Sequence, residues 1–365
     1  MTSMPRNHRI QALRGVAASL VVLDHAFDPL IERGLLPQWF DIVRYSIGGL
    51  GVYIFFVMSG FIIINMSYDD FGHAAKSLSF AERRTIRIVP IYWIATLLAF
   101  ALYTVLPLSR HPSFLNLLQS LTFIPYSTDP NADMEPVLGQ GWTLNYEMFF
   151  YALFTLALLA PRRIGLTGLL LAFIGLVAAR SWIKPFSDVS PAITTAAFLA
   201  DPIILLFAVG MLVGVLKQEF QDKITVRYPF QIALALITVQ ITLLVIFRIP
   251  PRVPFPVCIW TWLPGILAVA ACAWAAPRLQ SNRFEAIAEI LGDASYSTYL
   301  FHVFVVFALS KVFPITAITA VPYVVITLIA STVVGILFFR LVERPTTSFL
   351  RAMPSRRVAP IEGRA

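Results

Sequence analysis

The sequence predicts an all-α polytopic membrane protein, one bundle of about ten spanning helices, and three observations predict it. Of 365 residues, 58% are hydrophobic and 13% charged, with mean hydropathy +0.76. A water-soluble domain does not carry that much apolar surface. The apolar residues are gathered into runs long enough to cross a bilayer. The basic residues favour one set of alternate loops, as the positive-inside bias requires. The net charge of +8 therefore reflects topology. It does not point to nucleic acid, because no long basic run is present.

Taken in order, the expected spans are 10–27, 47–66, 90–107, 142–160, 164–182, 198–216, 229–247, 257–276, 295–313 and 321–341. The first follows basic residues, as a signal peptide would. It carries internal charges and no small-residue cleavage pattern, so it reads as a retained span. The run 117–125 is too short to cross and reads as interfacial or re-entrant. With the N-terminus cytoplasmic, Arg6, Arg9, Lys76, Arg83, Arg84, Arg87, Arg162 and Arg163 fall inside. So do Lys217, Lys223, Arg227, Arg278, Arg283 and the basic residues from Arg340 onward, about 19 in all against about eight outside. The Pro250–Pro256 loop puts two arginines, Arg248 and Arg252, on the wrong side of this assignment. Residues 1–350 form one membrane domain, and 351–365 form a short basic cytoplasmic tail. The connector 108–141, with Asp129, Asp133 and Glu135, is expected at an outer mouth. Cys258 and Cys272 lie about 21 Å apart along one helix, too far for a disulfide. They give no metal site either.

The first span carries Arg14, Asp24 and His25, and ionisable groups inside a span mark a function or a buried partner. Arg14 and His25 share a helix face, about 16 Å apart along the axis. In the fourth span Glu147 is expected a turn and a half below the outer boundary, level with His25. A carboxylate and an imidazole at one depth make a candidate general base, with Glu147 orienting the ring. Taken alone, His25 is equally a polar residue reaching for the interface, and Asp28 could compete as its orienting acid. Arg83, Arg84 and Arg87 precede the third span and converge if that turn is helical. Such guanidinium clusters suit phosphates, although charge alone is also explained by anchoring at the membrane surface. Ser295, Tyr299 and His302 share a face at the start of the ninth span and are expected to line a polar cavity. Interhelical hydrogen bonding is the plainer reading of that stripe. Asp201 before Pro202 reads as an N-cap. Gly48, Gly49, Gly51, Ser59 and Gly60 read as small residues permitting close helix packing.

Together these stretches resemble the acyltransferase family 3 integral membrane O-acyltransferases of bacteria. The resemblance rests on Leu13-Arg14-Gly15 with His25, the run from Gly51 to Phe61, and Arg83-Arg84 through Arg87 to Pro90. Trp142-Thr143-Leu144 through Glu147, Ser295-Tyr296-Ser297 through His302, and Glu343-Arg344-Pro345 complete it. The pieces occur in family order and cover nearly the whole chain. Asp24 departs from the apolar or aromatic residue expected before the family histidine.

The resemblance implies a multi-pass protein of the bacterial cytoplasmic membrane, with both termini cytoplasmic. It implies transfer of an acyl group, usually acetyl, from cytoplasmic acyl-CoA to a carbohydrate or glycoconjugate hydroxyl. Acetyl-CoA is then a donor substrate, with no permanently bound cofactor. His25 and Glu147 are the expected catalytic pair, and Arg14, Arg83, Arg84 and Arg87 the expected phosphate ligands. Trp142, Asn145, Ser295, Tyr299 and His302 are expected around the cavity, with Trp142, Asn145 and Tyr299 the candidates for oxyanion donor. The rival reading is a transporter or flippase of lipid-linked saccharides. It shares the spans and internal charges but predicts an internal repeat, which this sequence lacks.

Overall fold

In the computed structural model, residues 7–107, 110–126, 136–180, 191–220, 223–248, 258–275 and 283–353 are described. Asp129, Asp133 and Glu135, the Pro250–Pro256 loop and the tail beyond Met353 lie outside them. The described residues are helical apart from short turns and one isolated bridge between Val226 and Ala275. In chain order the helices are α1 (His8–Glu32), α2 (Trp39–Ser67), α3 (Ala74–Val105), α4 (Phe114–Leu121), α5 (Trp142–Ala157), α6 (Arg162–Ala179) and α7 (Pro191–Leu199). There follow α8 (Leu205–Phe220), α9 (Pro229–Phe247), α10 (Cys258–Ala273), α11 (Arg283–Asp293), α12 (Ser295–Val312), α13 (Ala320–Phe338) and α14 (Arg344–Ala352).

Eight helices among the described residues are long and apolar enough to cross a membrane. The other two expected spans are the 16-residue helices α5 and α10. Helix α5 is short because Gly139–Gly141 forms a 3-10 turn ahead of it, inside the bundle. The run 117–125 gives the eight-residue α4, capped by a reciprocal Ser113–Asn116 box, and is no span.

Helices α1 and α2 form the centre, with 61% and 72% of their apolar windows buried, against 17% for α6. The outer helices present Leu171, Ile174, Ile246, Val325 and Ile329 outward, as lipid-facing surfaces require. Asn7 starts α1 by accepting from the Arg9 and Ile10 amides, while its Nδ2 donates to the Cys272 carbonyl of α10. This ties the start of the central helix to its neighbour. Packing of α2 against α8 depends on Gly60 and Gly210. A Cβ on Gly60 would lie 2.1 Å from the Phe207 carbonyl oxygen, and one on Gly210 2.0 Å from that of Val57. The small-residue reading of Gly60 thus has a definite partner helix. Asp201 caps the Pro202–Ile204 turn, accepting from the Ile203 amide at 3.0 Å, and pairs with Arg180 at 2.6 Å. Cys258 and Cys272 are both free and buried.

Helix α3 runs unbroken through Pro90, so Arg83, Arg84 and Arg87 are helical and lie along one side. Helix α13 ends in a π-helical turn, Phe339–Glu343, before Pro345 opens α14. The extra residue of such a turn rotates the side chains that follow it. Here Glu343 is turned inward and buried, accepting from Ser297 Oγ at 2.6 Å. The expected tail boundary at 351 falls inside α14, whose last residue is Ala352.

Candidate active site

The principal cavity lies between α1, α2, α3, α5 and α12. Its polar wall comprises Arg14, Ser59, Arg84, Arg87, Thr143, Glu147, Tyr151, Ser295, Tyr296 and Tyr299, and Phe55 and Phe56 supply apolar wall. The sequence thus identified Arg14, Arg84, Arg87, Glu147, Ser295 and Tyr299, and the fold gathers them around one space. A second cavity shares Arg84 and Arg87 with the first and adds Arg83, Met66 and Arg351.

Among the described residues, none of Arg14, Arg83, Arg84, Arg87 and Arg351 makes an ion pair. Arg14 donates to Gln11 Oε1 at 3.2 Å and Arg83 to Ser79 Oγ at 2.5 Å. Arg84 is buried, donates to Met66 Sδ at 3.5 Å, and lies 5.4 and 5.6 Å from the Phe80 and Tyr151 ring centroids. Guanidinium groups gathered on one cavity with no direct ion pair are arranged for an anion that comes from elsewhere.

Glu147 is held differently from expectation. Its Oε1 accepts from Ser59 Oγ at 3.1 Å and from the Tyr151 hydroxyl. His25 makes its hydrogen bond through Nδ1 to the Val21 carbonyl at 3.0 Å. The expected His25–Glu147 pair is therefore replaced by two separate arrangements. The reason is depth. The turn before α5 is buried, with Gln140 Nε2 donating to the Leu300 carbonyl, so α5 starts well inside the bundle. Thr143 is already level with Tyr299, the two hydroxyls 2.7 Å apart, and Glu147 lies one turn further from His25. Along α2 the separation is plain. Gly48 faces Asp24, beside His25, whereas Ser59 faces Glu147, about 16 Å further along that helix.

His25 packs on His302, ring centroids 4.9 Å apart and edge to face. A carbonyl only accepts, so His25 Nδ1 carries the hydrogen and Nε2 keeps its lone pair. His302 is fixed in the same way by the Tyr299 carbonyl at 2.7 Å, and its buried Nε2 has no hydrogen-bond partner among the described residues. Asp24 Oδ2 lies 3.9 Å from His25 Nδ1. Asp24 belongs to a cluster in which buried Arg44 meets Asp24 at 3.1 Å, Asp28 at 2.5 Å and Asp41 at 2.7 Å. The departure at Asp24 is thus matched by a buried arginine on the next helix. Gly48 makes the room, since a Cβ there would lie 2.1 Å from Asp24 Oδ2.

Tyr299 separates the two halves of the site. Its hydroxyl donates to the Gln140 carbonyl at 2.9 Å, and its ring lies 5.9 Å from Phe55 in the cavity wall and 6.2 Å from His302. Of the five residues expected in the wall, Ser295 and Tyr299 are there, while Trp142, Asn145 and His302 are not. On α5 the cavity face is Thr143, Leu144, Glu147 and Tyr151, which leaves Trp142 and Asn145 on other faces. His302 lies one turn beyond Tyr299, toward His25. Sequence reasoning missed Ser59 and Tyr151 as partners of Glu147. The signal for Tyr151 was its position four residues after an acid in a helical span.

This fold and cavity define a polytopic membrane protein with a cation-lined chamber on one side of a tyrosine and a histidine pair on the other. A family model described as an acyltransferase domain, that of acyltransferase family 3, matches residues 7–340, and the chain belongs to this family. It is an acyltransferase. It is 32% identical over 331 residues to the exopolysaccharide production protein ExoZ of Rhizobium meliloti (strain 1021), covering 88% of this chain and 96% of the relative. No solved structure matches it.

Proposed function

We propose that this acyltransferase moves an acyl group, acetyl in the simplest case, from cytoplasmic acyl-CoA to a carbohydrate hydroxyl, with an exopolysaccharide as acceptor. The acceptor class rests on the similarity to ExoZ, an exopolysaccharide production protein. The observation that carries the donor is the convergence of Arg14, Arg84 and Arg87 on one cavity without ion pairs among the described residues. Arg83, Arg84 and Arg87 receive the phosphates, and Arg14 lines the route inward. The carboxylate of Glu147, anchored by Ser59 and Tyr151, repels phosphate. The nucleotide stops at the arginines, and the uncharged arm carries the thioester past the carboxylate.

In the chemical step, His25 Nε2 takes the proton of the acceptor hydroxyl as its oxygen attacks the thioester carbonyl. The C–O bond forms, the C–S bond breaks, and the leaving thiolate takes the proton from Nε2. Val21 holds Nδ1–H throughout. The role first expected of Glu147 passes to Val21 and to Asp24, which favours the transiently charged ring. Passage to His25 requires the Tyr299 ring to swing from Phe55. With its hydroxyl already donated to Gln140, Tyr299 becomes an oxyanion donor only after such a swing. On this reading the arginine side faces the cytoplasm and His25 faces outward across the bacterial inner membrane, with both termini cytoplasmic.

The docking half is tested by Arg14→Ala. The variant is expected to raise the KM for acyl-CoA about tenfold or more, the worth of a charge-assisted contact. An unchanged KM removes Arg14 from the donor site. The acceptor is tested by comparing the masses of cell glycans with and without the gene. A difference of one acetyl per modified sugar supports the reading, and identical masses remove it.

A further inference from the structure

The second cavity brings together side chains from three elements: Met66 from the end of α2, Arg83, Arg84 and Arg87 from α3, and Arg351 from α14. Arg351 is the surprising member. It is exposed and stands in the last turn of the terminal helix. The chain is returned to this place by specific devices. The π turn buries Glu343 against Ser297, Pro345 then opens α14, and α14 packs against α3. The outcome is four guanidinium groups around one space, none ion-paired among the described residues. Like charges this close repel, and the arrangement becomes favourable when an anion of several charges lies between them.

We propose that Arg351 is the fourth arm of a polyphosphate site formed with Arg83, Arg84 and Arg87, and that α14 carries it over the nucleotide end of the acyl donor. This deepens the acyl-CoA reading and rests on it. The donor's diphosphate and phosphomonoester together carry about four negative charges near neutral pH, matching four guanidiniums. The forks take phosphate oxygens in pairs, which lysine cannot do. Because the site shares Arg84 and Arg87 with the principal cavity, a nucleotide held there has its acyl arm directed toward Arg14 and Glu147. The plainer account of Arg351 is a basic residue offsetting the negative end of its own helix. The phosphate of an anionic lipid headgroup offers the same chemistry, and the test separates all three.

The full-length protein is placed in nanodiscs of zwitterionic lipid, and binding of CoA is measured for the wild type, Arg351→Gln and Arg351→Lys. The expected result is a loss of about tenfold or more for Arg351→Gln. A smaller loss is expected for Arg351→Lys, and an unchanged melting temperature for both. CoA affinity within twofold of wild type in Arg351→Gln overturns the proposal while leaving the donor reading intact. A matching fall in melting temperature and affinity, not relieved by lysine, makes Arg351 a helix-end residue and overturns it as well. No CoA binding by the wild type removes the donor reading and this proposal with it. Retention of anionic lipid is followed in parallel by native mass spectrometry. Loss of lipid in Arg351→Gln with CoA affinity retained assigns the arginines to headgroups and overturns the nucleotide site.

Discussion

At the scale of single residues, the site is organised by what each polar group has already bonded. His25 and His302 both spend Nδ1 on a main-chain carbonyl one turn earlier in their own helices, so both present Nε2. The imidazole of His25 is legible in the sequence as an ionisable group inside a span, but its orienting partner is not. A carbonyl acceptor leaves no mark in side-chain identity. Asp24 illustrates the opposite case. The sequence marks it as a departure, and the fold supplies its counterpart in Arg44, twenty residues on. Removing one member of a buried charge pair leaves the other uncompensated. Arg44→Gln is therefore expected to destabilise the protein by about 3 kcal/mol or more. The check is the loss of folded protein with temperature in detergent. Gly48→Ala is expected to cost about 1–3 kcal/mol by forcing Asp24 from its place. In the double variant with Asp24→Ala, most of that cost should disappear.

At the scale of elements, the helices were legible and their axial offsets were not. Apolar run length gives α1, α2, α3, α6, α8, α9, α12 and α13, because crossing a bilayer needs a stretch of fixed length. Hydropathy alone sets Glu147 level with His25, because it reads the start of α5 as a membrane surface. Gln140 and Thr143 are instead buried against α12, and Gly141 against Tyr92 of α3. Nothing in the hydropathy of a short apolar helix reports that its first turn is sunk into the bundle. The π turn after α13 was likewise invisible, since Glu343-Arg344-Pro345 reads as an ordinary helix end. The α2–α8 interface offers a direct test of close approach. Gly210→Leu puts a side chain into the Val57 carbonyl and is expected to lower stability by more than the about 1–3 kcal/mol of ordinary overpacking. Gly168→Leu, on α6 with nothing within 4 Å of its Cβ position, is expected to be nearly neutral. Thermal melts of both variants decide it.

At the scale of the whole molecule, the cations and the histidine pair occupy different levels of one bundle, with Tyr299 between them. Such a division suits a reaction that draws its two substrates from opposite sides of a membrane. Family membership was legible because its short motifs recur in order along nearly the whole chain, even though each alone is weak. The convergence of Arg351 on the arginines of α3 was not legible, since it depends on the path of the chain through the π turn. The proposed mechanism makes His25 the base acting on an acceptor from beyond the donor's compartment. It is tested most directly in sealed vesicles that hold labelled acetyl-CoA on the arginine side and acceptor polysaccharide on the other. The wild type is expected to label the polysaccharide, and His25→Ala to reduce the rate by about 10²- to 10⁴-fold while still binding CoA. Labelling by His25→Ala at close to the wild-type rate would contradict the account.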